Sequence, residues 1–520
     1  MSRVLIYDTT LRDGTQREDL SLSLEDKLTI AKRLADFGVH YIEGGWPGSN
    51  PKDAEFFARA AEMDLGQAKV AAFGATRKKY SSCDDDRNLN TLLAANTPAV
   101  TMVGKSWDYH VTHVLDATLE ENLAMIRESM AWMKARGREV IYDAEHFFDG
   151  FRANPDYAIA TLQAALEGGA DWLTLCETNG GKLPWEVEEI TREVLARLPG
   201  AKLGIHCHND SGCGVANSLA AVRGGAGLVQ GTINGYGERV GNADLITIIP
   251  DLQLKMGYEV LPAERLRELT QISRYVAEVA NLKHDDHHPY TGHSAFAHKG
   301  GIHVAAIMKA SDTYQHIEPE LVGNEMRAVI SELSGRGNIE MQAKALGLDL
   351  DRESAQRVLN QIKHLEHEGF TFEAAEASVE LMLLRQKPDY QRPFTLIDYF
   401  VINEHRHGRG LLSEAMVKVK VGEETRFTAA EGKGPVDALA QALKTSLIGN
   451  FPILETVRLI DYKVRILNGE DGTAANTRVL IEFHSGAEIW TTVGASANII
   501  EASWRALSDG MEYALAKLAA

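Results

Sequence analysis

Four short runs of this sequence combine residue types that hold cations or move protons. Asp8-Thr9-Thr10-Leu11-Arg12-Asp13-Gly14-Thr15-Gln16 sets a carboxylate beside a guanidinium, a pairing able to bind a cation and to stabilise an oxyanion at one place. Taken alone, adjacent charges of this kind are as readily a solvated turn. In His206-Cys207-His208-Asn209-Asp210 the two imidazoles lie two residues apart, so on an extended strand both face one side while Cys207 faces the other. That spacing suits a shared metal; the alternative is two histidines hydrogen-bonded at a strand end. Asn234-Gly235-Tyr236-Gly237-Glu238-Arg239-Val240-Gly241-Asn242-Ala243 has glycines that let backbone approach a ligand and an amide oxygen able to complete a coordination sphere. The fourth group is Glu145 with Glu177 and Thr178. A single glutamate there is more often a salt-bridge partner, and only the joint arrangement argues for chemistry.

With Asp13, His206 and His208 as ligands, the mixed oxygen and nitrogen set fits a divalent ion such as Mg, Mn or Zn and leaves positions open for substrate. A 2-oxo acid could bind there through its carboxylate and keto oxygen. The metal would polarise the carbonyl, and Arg12 would stabilise the alkoxide that develops.

These residues need a scaffold that gathers strand ends. From Val4 to about Met256 short apolar runs alternate with amphipathic helical stretches, the pattern of βα units around a parallel sheet. The expected strands are Val4 to Tyr7, Tyr41 to Gly44, Val70 to Phe73, Ala99 to Val103, Val140 to Ala144, Trp172 to Cys176, Leu203 to His206 and Val229 to Ile233. Eight even repeats without a Gly-x-Gly-x-x-Gly fingerprint after the first strand predict a closed α/β (β/α)8 TIM barrel over residues 1–275, with its site at the C-terminal strand ends. A helical linker subdomain follows over 276–393, interrupted at Lys283-His284-Asp285-Asp286-His287-His288-Pro289 and at Ser334 to Asn338. Strand-like runs such as Ala415 to Val421 and Arg478 to Phe483 then predict a separate α+β domain over 394–520.

Composition narrows the partners. At 520 residues the chain exceeds one hydrophobic core, and 44% hydrophobic with 24% charged residues is ordinary for a globular protein. A net charge of −19 without a basic patch speaks against nucleic acid. Four cysteines do not make a disulfide framework, and neither a signal core nor a membrane-spanning run is legible, so a cytoplasmic protein is expected.

The Asp-Thr-Thr-Leu-Arg-Asp-Gly run, the His-x-His-Asn run and the Gly-Glu-Arg-x-Gly-Asn-Ala loop, in this order, closely resemble the 2-isopropylmalate, homocitrate and citramalate synthase family of metal-dependent barrels. The resemblance continues through Ala297-His298-Lys299-Gly300-Gly301-Ile302-His303 and Gly494 to Ala502, and so covers almost the whole chain. It implies that Asp13, His206 and His208 bind a Mn, Mg or Zn ion with Asn242 nearby. It also implies that Arg12, Tyr142 and Thr178 contact substrate, that Glu145 is the acid/base, and that His303 assists proton transfer. Gly237, Glu238 and Arg239 would lie on the CoA side. The implied reaction takes a proton from the methyl group of acetyl-CoA, adds the enolate to a 2-oxo acid and hydrolyses the thioester. Tyr41-Ile42-Glu43-Gly44-Gly45-Trp46-Pro47-Gly48-Ser49-Asn50-Pro51 is similar to the citramalate branch, which implies pyruvate as acceptor in isoleucine biosynthesis. The 2-isopropylmalate and homocitrate branches are the alternatives. Met326 stands where a tyrosine is expected in isopropylmalate synthases, which removes a phenolic role there. The last domain resembles a regulatory dimerisation domain, implying a homodimer and an isoleucine effector near Gly432, Gly434 and Ala495. Aldolases and acyl-CoA lyases of related barrels share the Arg-Asp and His-x-His features, but the C-terminal domain and the Glu238-Arg239 loop argue against them.

Overall fold

The computed structural model describes residues 2–408, 410–486 and 488–518. Strands β1 (Leu5–Asp8), β2 (Tyr41–Gly45), β3 (Lys69–Ala75), β4 (Ala99–Lys105), β5 (Glu139–Glu145), β6 (Trp172–Glu177), β7 (Leu203–Cys207) and β8 (Leu228–Gly231) pair in parallel and close into a barrel, β8 against β1. The expected eighth strand ran to Ile233, but β8 ends at Gly231. A Cβ on Gly231 would stand 2.5 Å from the Ala243 carbonyl oxygen, so the returning chain, bridged from Asp244 to Thr232, occupies the space a longer strand would need.

Local chemistry sets the helices between the strands. Ser23 and Asp26 form a reciprocal cap at the start of helix Leu24–Phe37, and Gly38, at φ 103°, ends it in the left-handed region. Leu28, Ala31 and Leu34 on that helix face inward and are buried. Asn50 and Asn154 cap helices whose first residue is proline, where the missing N–H costs nothing.

Inside the barrel, side chains stack in layers. Tyr41, Ala71, Ala99, Ile141 and Leu228 make an apolar floor with Tyr7 stacked on Tyr41 at 5.6 Å. Above it lies a buried polar layer holding Glu43, Thr101, Thr174 and Gln230. The barrel unit runs to Phe296 and includes Pro319–Glu325.

The second unit comprises Ala297–Glu318 and the chain from Met326 onward. Its helices are Gly301–Ile307, Arg336–Ala345, Arg352–His367 and Glu376–Leu384, with two-residue strands β9 (Ala297–His298) and β10 (Arg327–Ala328) paired in parallel. Ser334 to Asn338, expected as an interruption, is in fact the start of helix Arg336–Ala345, with the Asn338 carbonyl accepting from the Gly335 N–H at 3.2 Å. Two antiparallel three-stranded sheets follow, β11 (Thr395–Arg406), β12 (Gly410–Val421), β13 (Glu424–Gly432) and β14 (Arg458–Ile466), β15 (Thr477–Ser485), β16 (Glu488–Ser496). Alternation buries Val417 and Val419 on β12 and Val479, Ile481 and Phe483 on β15, in one core with the helices Pro435–Ile448 and Ile499–Leu518. No helix among the described residues is long and apolar enough to cross a membrane.

Arg385 is the main polar tie of this unit. Its Nε donates to Glu512 at 2.9 Å, a terminal N–H donates to the other Glu512 oxygen at 2.6 Å, and Asp509 accepts at 2.7 Å. Glu512 is only 2% exposed, so removing the guanidinium leaves this buried carboxylate to the Tyr390 hydroxyl at 2.9 Å and to the more distant Arg392 at 4.0 Å. Arg385→Met is expected to destabilise this unit by about 3–5 kcal/mol in denaturant unfolding, and an unchanged midpoint would show the pair to be dispensable.

Candidate active site

The C-terminal ends of the strands frame a cavity of about 260 Å³ lined by Arg12, Asp13, Glu145, Thr178, His206, His208, Glu238 and Arg239, with Trp46, Phe73, Val103, Asp143 and Cys176 between them. Each is delivered by alternation along a strand or by the turn after it. On β7, His206 faces the cavity and its neighbour Cys207 is buried on the opposite side. All four cysteines are free thiols.

Arg12 is the most constrained group. Its Nε donates to Glu43 at 2.5 Å, its guanidinium lies 3.8 Å from the centre of the Phe73 ring, and a terminal nitrogen is 3.5 Å from Asp13. Glu43, wholly buried, also accepts from the Tyr7 hydroxyl at 2.6 Å and the Thr9 hydroxyl at 2.8 Å. Burial by itself would raise the pKa of Asp13, but Arg12 and the two histidines outweigh it and hold this carboxyl well below the usual range.

Asp13, His206 and His208 each offer a ligand atom, all within 4.8 Å of one another, and all three residues are buried. Nδ1 of His208 and Oδ1 of Asn242 are buried without a partner among the described residues, which is expected of ligand atoms and otherwise costly. Burial, then the neighbouring His206, pushes the pKa of His208 down to about 3, so its ring is the neutral form a cation needs. Behind His206, Nδ1 meets the Gln230 carbonyl at 2.9 Å, while the Gln230 amide donates to Asp143 at 2.9 Å and Thr174 at 3.1 Å. That orientation of Gln230 makes Nδ1 of His206 a donor and turns Nε2 toward Asp13, 3.2 Å away. The site fits a divalent ion.

Asn242 sits on the loop after β8, bridged to His208, and its amide nitrogen donates to the Tyr236 carbonyl at 3.0 Å. Gly237 packs on it, since a Cβ there would be 2.2 Å from the Asn242 amide nitrogen. Arg239, at φ 57°, binds Asp210 at 2.7 and 2.9 Å and the Thr178 carbonyl at 2.8 Å. Thr178 in turn accepts the His146 N–H at 2.9 Å. Glu145 pairs with Lys105 across the rim.

Tyr142 corrects the expectation of a substrate contact. Its ring points outward from β5 into the helix layer, fully buried, with its hydroxyl 3.0 Å from Ser106, because alternation gives the inward position to Asp143. His303 lies in the second unit, exposed on helix Gly301–Ile307 and stacked on Tyr314 at 4.2 Å. Gly432 ends β13 and Gly434 caps the next helix; a Cβ on Gly432 would strike the Ala438 N at 2.3 Å. Ala495, expected at an effector site, is instead buried against the apolar cluster of Phe370 and Val379, because the inward register of β16 leaves its methyl no open side.

Glu43, Asp143 and Gln230 were not singled out from the sequence. The available signal was a polar residue at an inward strand position: each lies an even number of residues from a floor residue of its own strand, Tyr41, Ile141 and Leu228. Trp46 is fixed by a further buried pair. Lys27 binds Asp53 and the Gly44 carbonyl, and Asp53 accepts the Trp46 N–H at 3.0 Å, while the Trp46 indole donates to Asn88 at 3.0 Å.

Family models match the chain in three consecutive blocks: HMGL-like over residues 3–276, homocitrate synthase post-HMGL domain-like over 290–369, and LeuA allosteric (dimerisation) domain over 373–515. An (R)-citramalate synthase from Aquifex aeolicus is 51% identical, covering 99% of this chain and 98% of its own. One from Sulfolobus acidocaldarius is 45% identical, covering 98% and 97%. The chain belongs to the 2-isopropylmalate, homocitrate and citramalate synthase family. Within that synthase family, a 2-isopropylmalate synthase from Methanocaldococcus jannaschii is 32% identical, covering 99% of this chain and 95% of its own.

Gln230 gives this site a direct test. Gln230→Leu leaves His206 and Asp143 without their partner, and the affinity for Mn2+ is expected to fall about 10–100-fold by calorimetric titration; an unchanged affinity would remove Gln230 from the metal site.

Proposed function

We propose that this chain is an (R)-citramalate synthase, an acyltransferase that condenses acetyl-CoA with pyruvate and hydrolyses the thioester. The observation that carries the reading is full-length identity of 45–52% to five (R)-citramalate synthases, against 32% to a 2-isopropylmalate synthase.

Asp13, His206, His208 and Asn242 would hold a divalent Mn, Mg or Zn ion, which when bound would supply Lewis-acid polarisation of the keto carbonyl. Arg12, its position locked by Glu43 and Phe73, donates hydrogen bonds to the keto oxygen as negative charge develops there. Glu145 takes a proton from the acetyl methyl group. The methyl carbon then bonds to the keto carbon of pyruvate as the carbonyl π pair passes to its oxygen, which takes up a proton to become the alcohol; water adds to the thioester carbonyl, the carbon–sulfur bond breaks, and CoA leaves as the thiol, giving the free carboxylate. Trp46, Phe73 and Val103 line the same cavity and enclose the methyl group of the acceptor. Trp46 and Phe73 meet edge to face at 5.5 Å, which narrows the space for a longer tail. At about 260 Å³ the cavity admits the reacting ends but not a whole CoA. An adjoining cavity of about 630 Å³ shares Trp46, Val103 and Glu145 with it, is lined further by Arg77, Lys78 and Lys79, and gives the pantetheine arm a path; the loop of Gly237, Glu238 and Arg239 borders the smaller cavity through its last two residues. The LeuA dimerisation match supports a homodimer, and isoleucine is the effector proposed for it. A cytoplasmic place in isoleucine biosynthesis belongs to the same reading.

The test is free-CoA release from acetyl-CoA by metal-loaded protein with pyruvate, 2-oxobutyrate, 2-oxoisovalerate or 2-oxoglutarate. Pyruvate is expected to give the highest kcat/KM; a higher value with 2-oxoisovalerate or 2-oxoglutarate would move the chain to another branch. Arg12→Lys keeps the charge but loses the fork that Glu43 orients, so kcat is expected to fall about 10²–10³-fold, and a wild-type kcat would remove Arg12 from oxyanion stabilisation.

A further inference from the structure

The histidine-rich stretch Lys283 to Pro289 has no part in the reaction as described, yet it reaches both ends of the loop that carries Asn242, one end through Ser273 and the other directly at Asp244. At the start of that loop, the Asn234 amide nitrogen donates to the Ser273 carbonyl at 2.9 Å, on helix Leu269–Val279. This fixes the Asn234 side-chain oxygen as an acceptor, and the Ser273 hydroxyl donates to it at 2.6 Å. With its one proton committed, the Ser273 oxygen must accept from its other two neighbours, His284 Nε2 at 2.7 Å and the Thr291 hydroxyl at 3.1 Å. Thr291 then accepts from His288 Nδ1 at 3.1 Å. Nε2 of His288 faces Asp244 at 3.4 Å, and Asp244 is the far end of the loop, where it caps helix Leu245–Pro250.

The loop needs such a hold. Asn234 and Arg239 sit at φ 60° and 57°, which non-glycine residues adopt at a cost, and Gly235 and Gly241 sit at 65° and 108°. Ser273, wholly buried, bonds to the loop at Asn234 and to the histidine stretch at His284 through a single hydroxyl.

We propose that Ser273, His284, Thr291 and His288 form a latch that positions Asn242 for the metal, and that the histidine stretch serves the site by holding this loop from outside the barrel. The inference rests on the metal reading given above. These are positioning residues, and none of them touches substrate.

The measurement is the dissociation constant for Mn2+ of the metal-free full-length protein, followed by the electron paramagnetic resonance of free Mn2+, with thermal unfolding recorded beside it. Ser273→Ala and His284→Leu are expected to weaken Mn2+ binding about 10–100-fold. His284→Gln, whose amide N–H can replace Nε2–H, is expected to restore it, and His287→Ala, exposed and outside the chain of bonds, to leave it unchanged. Equal affinity in wild type and His284→Leu overturns the latch, as does failure of Gln to restore what Leu removes. Should Ser273→Ala not fold, the two His284 variants decide. A wild type that binds no Mn2+ overturns the metal reading itself, an outcome distinct from equal binding by all variants.

Discussion

A carboxylate sealed inside a barrel is the constraint around which this site is built. Glu43 is wholly buried, and an unpaired charge there would cost several kcal/mol. Three donors meet it: Tyr7 from β1, Thr9 from the turn beyond and Arg12 one turn further. Satisfying Glu43 therefore fixes the path of the β1 turn. The guanidinium is drawn to the wall of the cavity against Phe73, and Asp13, its chain neighbour, is placed opposite His206. One buried charge thus orients both the proposed oxyanion donor and a proposed metal ligand.

The polar layer above the apolar floor extends the same logic. Gln230 joins His206, Asp143 and Thr174, residues of three other strands, through one side-chain amide. Burial, then Glu43, raises the pKa of Asp143 to about 6, while Arg12 drives that of Asp13 the other way. Two aspartates of one barrel end are therefore held in contrasting electrostatic settings. Such divergence is the usual mark of a site shaped for chemistry rather than stability alone. Beyond the barrel wall the loop after β8 is pinned from both ends, so the amide of Asn242 is offered from a backbone that is strained locally and secured elsewhere.

What the sequence by itself determined is what depends on near neighbours along the chain. Strand positions follow from short apolar runs, and the Asp13, His206 and His208 set was legible because two-residue periodicity points both imidazoles one way. Even there the last strand was drawn too long, since the obstacle at Gly231 is the carbonyl of Ala243 returning from the next loop. Tertiary structure alone decided which polar residues join the site. Arg12 and Glu43 are 31 residues apart, His206 and Gln230 24, and Gln230 and Asp143 87, and no local pattern pairs them. It likewise turned Tyr142 outward and Asp143 inward, and enclosed Ala495 among apolar side chains. Periodicity says that alternate residues share a face; only closure of the barrel says which face is the inside.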